Sequence, residues 1–339
     1  MDPRSRERQA SPPRSAVRDP LTGDGIAVRL TELLALRGEA ARLDLAPRGK
    51  VLATRSGGHL SRFRGRGMEF DESRVYQAGD DVRSMDWRVT ARAGTPHVKL
   101  FREERERPVW LLVDLGPAMR FGTRVAFKSV VAARAAALLA WAAADRSDRV
   151  GGLVFDETRR FERQPAARPR GLLPLLNALA EISQGAAARG LPTRPPRSAI
   201  RNPRSPLLSQ AAQRLVRLVR PGSLIFVLSD FAGIAAGDSA WLAQLAGANE
   251  LVLIEVYDPI EPKAPPPGLY PVTDGSRRGL IDTSTAVRRA AWERRFAERE
   301  ALLEGLARRH RIHRLAVRTD ERVGPALARG LDPRGRRVS

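Results

Sequence analysis

Four stretches of this chain are almost wholly apolar and short: VWLLVDL (109–115), RVGGLVFD (149–156), SLIFVLSDF (223–231) and ELVLIEVYDP (250–259). A strand with one wet face alternates apolar and polar residues, whereas a strand covered on both faces reads as a continuous apolar run. Between the runs lie segments of helical character at 123–144, 171–184, 207–219, 238–247 and 285–309. A strand near Arg159–Arg163, a hairpin over 269–282 around Asp274–Gly275, a last strand at 312–319 and a last helical stretch at 322–330 complete the pattern. Alternating strands and helices specify an α/β fold with a doubly wound, mostly parallel sheet. Ligands bind such sheets beyond the carboxyl ends of the strands. Asp114 and Asp230 each stand at such an end.

The first third of the chain has a different texture. Residues 1–23 are expected to form a disordered tail. Residues 26–45 carry Leu30, Leu33, Leu34 and Leu36 at helical spacing, which predicts one amphipathic helix ended by Pro47 and Gly49. Residues 50–107 are rich in glycine, arginine and acids and predict an irregular β-rich module, with strands at Arg74–Tyr76 and His97–Phe101. The expected organisation is therefore a tail (1–23), a helix plus β-rich module (24–107), an α/β domain (108–320) and a C-terminal helix with a basic tail (321–339). The Pro/Arg-rich stretch 185–206 predicts a long loop of the kind that is commonly functional.

Composition excludes several chemistries. The 339 residues include no cysteine, so there is no disulfide, thiol nucleophile, iron–sulfur cluster or Cys-ligated zinc. No Walker A, Gly-x-Ser-x-Gly or His-Glu-x-x-His motif occurs. His310 and His313 have helical spacing but no third ligand near them in sequence. The net charge is +21, and of 59 basic residues only Lys50, Lys99, Lys128 and Lys263 are lysines. By direct count residues 161–222 carry +9, 223–282 carry −5 and 283–339 carry +8. Basic faces steer anionic partners, but arginine-for-lysine usage is what a GC-rich genome writes, so nucleic acid is not the favoured partner. The apolar run Ala135–Ala144 is too short to span a bilayer, and the N-terminus lacks an apolar signal region. The expectation is a cytoplasmic protein without membrane insertion.

One block of the chain is specific. Ser61-Arg-Phe-Arg-Gly-Arg-Gly-Met-Glu-Phe70 is followed by Arg74, Tyr76, Gly79, Asp80, Asp81, Arg83, Asp86, Trp87 and Arg92, then by Lys99, Glu103, Glu104 and Arg105. This block, with Arg64, Gly65, Arg66, Gly67, Glu69 and Phe70 at its start, resembles the domain-of-unknown-function family 58. The half that follows is similar to a von Willebrand factor A-type domain. The resemblance implies a non-enzymatic interaction or adaptor module. Its implied partners are a MoxR-type AAA+ ATPase and a client protein, in protein maturation or metal-cofactor insertion.

Two groups of carboxylates are the candidate chemistry. The resemblance implies a metal-ion-dependent adhesion site with Asp-x-Ser-x-Ser after the first strand, whose hydroxyls and carboxylates suit Mg²⁺. Here the stretch reads Asp114-Leu-Gly116-Pro-Ala118, so both serines are missing. Asp114, Ser229 and Asp230 remain, with Thr193 as a candidate for the loop threonine; weak Mg²⁺ binding is the most such a set supports. Asp114 and Asp230 can instead bind loop amides or helix N-termini. Glu69, Asp80, Asp81 and Asp86 form the second group. They can serve a metal-dependent hydrolase. Interleaved with Arg64, Arg66, Arg74, Arg83 and Arg92, they favour an ion-pair network that fixes loop geometry. Arg62, Arg64 and Arg66 alternate along the chain and would share one face of a strand.

Overall fold

The structure is a computed structural model; it describes residues 23–45, 68–103, 106–167, 169–188, 206–273 and 278–332. The chain divides into two compact units, Pro47–Arg107 and the rest.

The larger unit begins with two short helices, α1 (Leu30–Ala35) and α2 (Arg37–Ala40). The single helix expected over 26–45 is thus broken at Leu36. The break lets Leu33, Leu36 and Ala40 all enter the main core. Trp141 donates its indole N–H to the Leu33 carbonyl at 3.0 Å, and the Val28 amide donates to Ser183 at 3.1 Å. This segment belongs to the same compact unit as the α/β sheet.

The smaller unit pairs β1 (Met68–Val75) with β2 (His97–Glu103) in antiparallel register. Between them lies α3 (Trp87–Ala93), a helix that the sequence pattern does not announce because none of its residues is buried. It starts on the Asp86 cap and stops at Gly94, whose φ of 69° is the left-handed conformation that terminates helices.

In the larger unit the sheet strands are β3 (Pro108–Asp114), β4 (Arg149–Phe155), β5 (Arg160–Ala167), β6 (Leu224–Ser229), β7 (Glu250–Tyr257) and, after the hairpin β8 (Leu269–Thr273) and β9 (Arg278–Asp282), β10 (His313–Arg318). The order across the sheet is β10-β7-β6-β3-β4-β5. Only β5 runs antiparallel, because it returns from β4 through a tight turn. The helices are α4 (Lys128–Asp145), α5 (Pro169–Ala188), α6 (Pro206–Leu218), α7 (Ser239–Ala248), α8 (Ala286–Arg309) and α9 (Val323–Leu331).

Residues alternate along each strand between two cores. Val109, Leu111 and Val113 face a layer that holds α4, α5 and α9 together with the N-terminal helices. Trp110 and Leu112 face the layer of α6, α7 and α8. Covered on both faces, the central strands β3 and β6 are apolar from Val109 to Val113 and from Leu224 to Leu228, as the sequence runs require. The structure thus has a mixed, mostly parallel sheet with helices on both sides. No helix among the described residues is long and apolar enough to cross a membrane.

Candidate functional site

The carboxyl ends of β3, β6, β7 and β10 bring polar side chains together. Asp114 ends β3 and is buried. One of its oxygens accepts from the Gly116 amide at 2.8 Å, the other from the Ser229 hydroxyl at 2.8 Å. Ser229 in turn accepts from the Phe231 amide at 3.2 Å. Phe231 is fully buried and has a φ of 50°, so the chain turns sharply after β6 through a conformation that bulky residues avoid. That turn aims Asp230 across the sheet end.

Asp230 meets a residue that the sequence reading does not single out. Lys128, at the start of α4, is 3% exposed and donates to Asp230 Oδ2 at 2.7 Å and to Glu261 Oε1 at 2.7 Å. Its ammonium also lies 5.7 Å from the centre of the Phe121 ring. The other Asp230 oxygen accepts from the Ala232 amide at 2.9 Å. All four carboxylate oxygens of Asp114 and Asp230 therefore have donors from the chain itself, and the cation between the strand ends is an ammonium. A divalent ion needs an octahedral shell with several free oxygens. As arranged, Asp230 is paired with Lys128 and Asp114 is held by Gly116 and Ser229, and this set does not fit Mg²⁺. Among the described residues no group of three His, Cys, Asp or Glu could hold a metal. Thr193 lies outside the described residues.

The electrostatics follow from burial and pairing. Burial, with the Asp230 charge beside it, pushes the Asp114 carboxyl up to about 7. Asp230 is as deeply buried, yet the Lys128 charge and hydrogen bond outweigh that penalty and hold it below the usual carboxylate range. Burial alone would lower Lys128, but Asp230 and Glu261 raise it above an ordinary lysine. At neutral pH the cluster therefore contains a fixed ion pair beside a carboxyl near its midpoint.

The network continues under α8. Arg299 donates to Glu261 at 3.0 Å and lies 3.6 Å from Glu255, which is fully buried in β7. Arg314 of β10 bridges Glu255 and Glu300. Burial, then the hydrogen-bonded Glu300, pushes Glu255 up to about 8. A second hub is Asp258, which accepts from the Thr123 amide at 2.9 Å, the Thr123 hydroxyl at 2.6 Å and the Thr319 hydroxyl at 2.6 Å. It ties together the loops that follow β3, β7 and β10.

In the second group of carboxylates, Asp80, Asp81 and Asp86 each have separate partners. Asp80 takes Arg74 bidentately at 2.7 and 2.8 Å and also accepts from the Gln77 amide. Asp81 accepts from the Arg83 amide. Asp86 accepts from the Arg88 and Val89 amides and from Ser73. Among the described residues the block holds the pair Arg74–Asp80 and the two caps made by Asp81 and Asp86. Arg83 and Arg92 are exposed, and Trp87 is 67% exposed beside them in sequence. Tyr76 is half-buried and Gly79 adopts a φ of 107° in the turn. Glu69 and Phe70 of β1 stand opposite Arg102 and Phe101, and Glu103 opposite Met68. Arg62, Arg64, Gly65, Arg66, Gly67 and Glu104 lie outside the described residues, as do 189–205 of the expected loop. The two histidines separate, His310 to Ser239 and His313 to the Gly330 carbonyl.

The larger unit is a mostly parallel α/β sheet in which the acid at the end of β6, Asp230, is paired with a buried lysine. The sequence profile of the family described as "Protein of unknown function DUF58" matches residues 72–302, and the chain belongs to that family. Relatives include the uncharacterized proteins Mb1516 of Mycobacterium bovis and Rv1480 of Mycobacterium tuberculosis. Each is 31% identical over 280 residues, covering 81% of this chain and 78% of the relative. A crystal structure of the conserved hypothetical protein BatB from Bacteroides thetaiotaomicron aligns with a TM-score of 0.40 at 16% identity, over 66% of this chain and 96% of that one.

Proposed function

We propose that this chain is a non-enzymatic adaptor that works with a MoxR-type AAA+ ATPase on a client protein, in maturation or metal-cofactor insertion. In this reading the larger unit is a von Willebrand factor A-like domain whose strand-end surface is metal-independent. The observation that carries it is the Lys128 ammonium held by Asp230 and Glu261 at 2.7 Å each. Acids that a catalyst would present to substrate, or an adhesion site to a metal, are here spent on an internal pair. What remains outward is the rim of strand-end loops and, on the smaller unit, Trp87 with its neighbouring arginines. Exposed tryptophan and arginine are residues that anchor protein interfaces.

The test is capture of partners by the tagged full chain from its native lysate, with nuclease present, with and without Mg-ATP. A stoichiometric AAA+ ATPase whose retention responds to nucleotide is the expected result. Recovery only of nucleic-acid-associated proteins, lost on nuclease or moderate salt, overturns it in favour of a basic-surface role.

A further inference from the structure

α3 presents two unlike faces. With about 3.6 residues per turn, Trp87, Arg88, Ala91 and Arg92 share one side of it, and Val89 and Thr90 lie on the other. Val89 and Thr90 are half-buried, and the Thr90 hydroxyl accepts from the His97 amide of β2 at 2.9 Å. The four residues of the first side are exposed, Trp87 to 67%. The helix is fixed at both ends, by the Asp86 cap and by Gly94. Its outer side chains are therefore mounted on an anchored base before any partner arrives.

The arginines of that side are not neutralised. Among the described residues, neither Arg88 nor Arg92 makes an ion pair or hydrogen bond through its guanidinium, and neither does Arg83 in the turn before α3. Arg88 and Arg92 stand one helical turn apart, where like charges repel, and α3 contains no acid. The acids nearest in sequence are engaged elsewhere. Asp80 holds Arg74, Asp81 accepts from the Arg83 amide, and Asp86 accepts from the first amides of α3 and from Ser73. Trp87 is equally bare. Ala91, one turn on, is too short to cover its ring, and the indole N–H donates to no group among the described residues. A bare indole beside unpaired guanidiniums is the composition that carries binding energy at protein interfaces.

We propose that this face of α3 binds a short acidic segment of a partner protein, with two carboxylates on Arg88 and Arg92 and an apolar side chain on Trp87. Guanidinium and carboxylate match in charge and in planar geometry. The spacing also matches: four residues of helix rise about 6 Å, and alternate residues of an extended chain stand about 6.6 Å apart. Nucleic acid fits less well, because a single strand needs successive aromatic platforms along a basic track, and this face has one ring and one turn of arginines. The inference rests on the adaptor reading in requiring a protein partner, and its test involves no ATPase.

The probe is the fluorescein-labelled peptide Gly-Ser-Glu-Ser-Glu-Leu-Leu-Ser-Gly, titrated with the full chain and read by anisotropy. Two control peptides accompany it, one with both glutamates replaced by glutamine and one with both leucines replaced by serine. The parent peptide is expected to bind saturably, and each control about tenfold more weakly or worse. R88Q/R92Q and W87A are each expected to lose about tenfold. R160Q/R163Q, which removes the same charge from exposed positions of β5, is expected to bind like wild type. Hydrogen exchange at Arg88 and Val89 verifies that α3 forms in the variants, and the control peptides decide on the wild-type chain alone. Absence of parent-peptide binding, equal binding of either control, or unchanged binding by R88Q/R92Q or W87A overturns the proposal. An equal loss in R160Q/R163Q assigns the attraction to net charge and overturns it. A thymidine dodecanucleotide that binds more tightly than the peptide, and loses that binding in R88Q/R92Q, makes this a nucleic-acid site and also overturns it. Capture of the ATPase is scored separately: capture without peptide binding defeats only this face, and the reverse defeats only the adaptor reading.

Discussion

The Lys128 ammonium lies 2.7 Å from Oδ2 of Asp230, with both side chains about 4% exposed. Removing one partner of such a pair strands the other charge in the interior, which costs about 3–5 kcal/mol. Lys128→Met is therefore expected to lower unfolding free energy in urea by about that amount. Lys128→Met with Asp230→Asn is expected to recover part of the loss, since one stranded charge is gone. A double-mutant cycle showing no coupling between the two positions would contradict the pairing.

Asp114 has a pH signature. Its carboxyl is held at about 7 in the folded protein against 3.8 for the ordinary group. The folded state then binds the proton more tightly than the unfolded chain. The stability this group contributes is fully present below about pH 4, declines as pH rises toward 7 and is level above it. Asp114→Asn cannot titrate. Relative to wild type it should gain stability steadily across that interval, whatever constant offset the lost hydrogen bond imposes. Parallel wild-type and variant curves over pH 4–7 would show that Asp114 is ionised throughout.

Gly116 occupies a position where the resemblance implies a metal-binding serine. A Cβ there would stand 3.0 Å from Asp114 Oδ1, tighter than nearly all such contacts. Gly116→Ser is expected to reduce the melting temperature and to leave it insensitive to excess Mg²⁺, because Lys128 still holds Asp230. A Mg²⁺-dependent rise in the variant would show that the added hydroxyl outcompetes the lysine.

Glu255 and Arg314 should respond unequally. With Glu255 held at about 8, its neutral form dominates at pH 7, and Glu255→Gln should cost little there. Arg314→Met leaves Glu300 without its bridging cation and should cost about 3 kcal/mol. Chemical denaturation of the two variants at pH 7 compares them directly.

In the smaller unit, Asp86 binds the first amides of α3 and Asp80 binds Arg74. Hydrogen exchange should therefore separate them. Asp86→Ala is expected to speed exchange at Arg88 and Val89, and Asp80→Ala at Gln77. If both variants exchange like wild type yet lose partner capture, these carboxylates face the partner instead.

The strands of the sheet were readable because burial on both faces leaves no room for polar residues, so Val109–Val113 and Leu224–Leu228 appear as apolar runs. Asp114 and Asp230 were readable from position, as polar residues at the ends of those runs. Lys128 was not, because its partners lie 102 and 133 residues away and only the parallel register brings them together. The one local signal was its type, a lysine at the start of an alanine-rich helix in a chain with four lysines among 59 basic residues. α3 was missed because a helix with no buried residue shows no apolar period. The break at Leu36 was missed because leucines at 30, 33, 34 and 36 suit one straight helix as well as two short ones wrapped on α4.

Pro165 bears on how large an assembly this fold can build. A sheet open at both edges can propagate, each added strand exposing a fresh template, and ends in fibres. Here growth beyond β5 is blocked, because Pro165 offers no amide hydrogen and Arg160, Glu162 and Arg163 are exposed along that strand. A stack of copies therefore cannot propagate through this six-stranded sheet, because one of its two edges offers no template for the next strand.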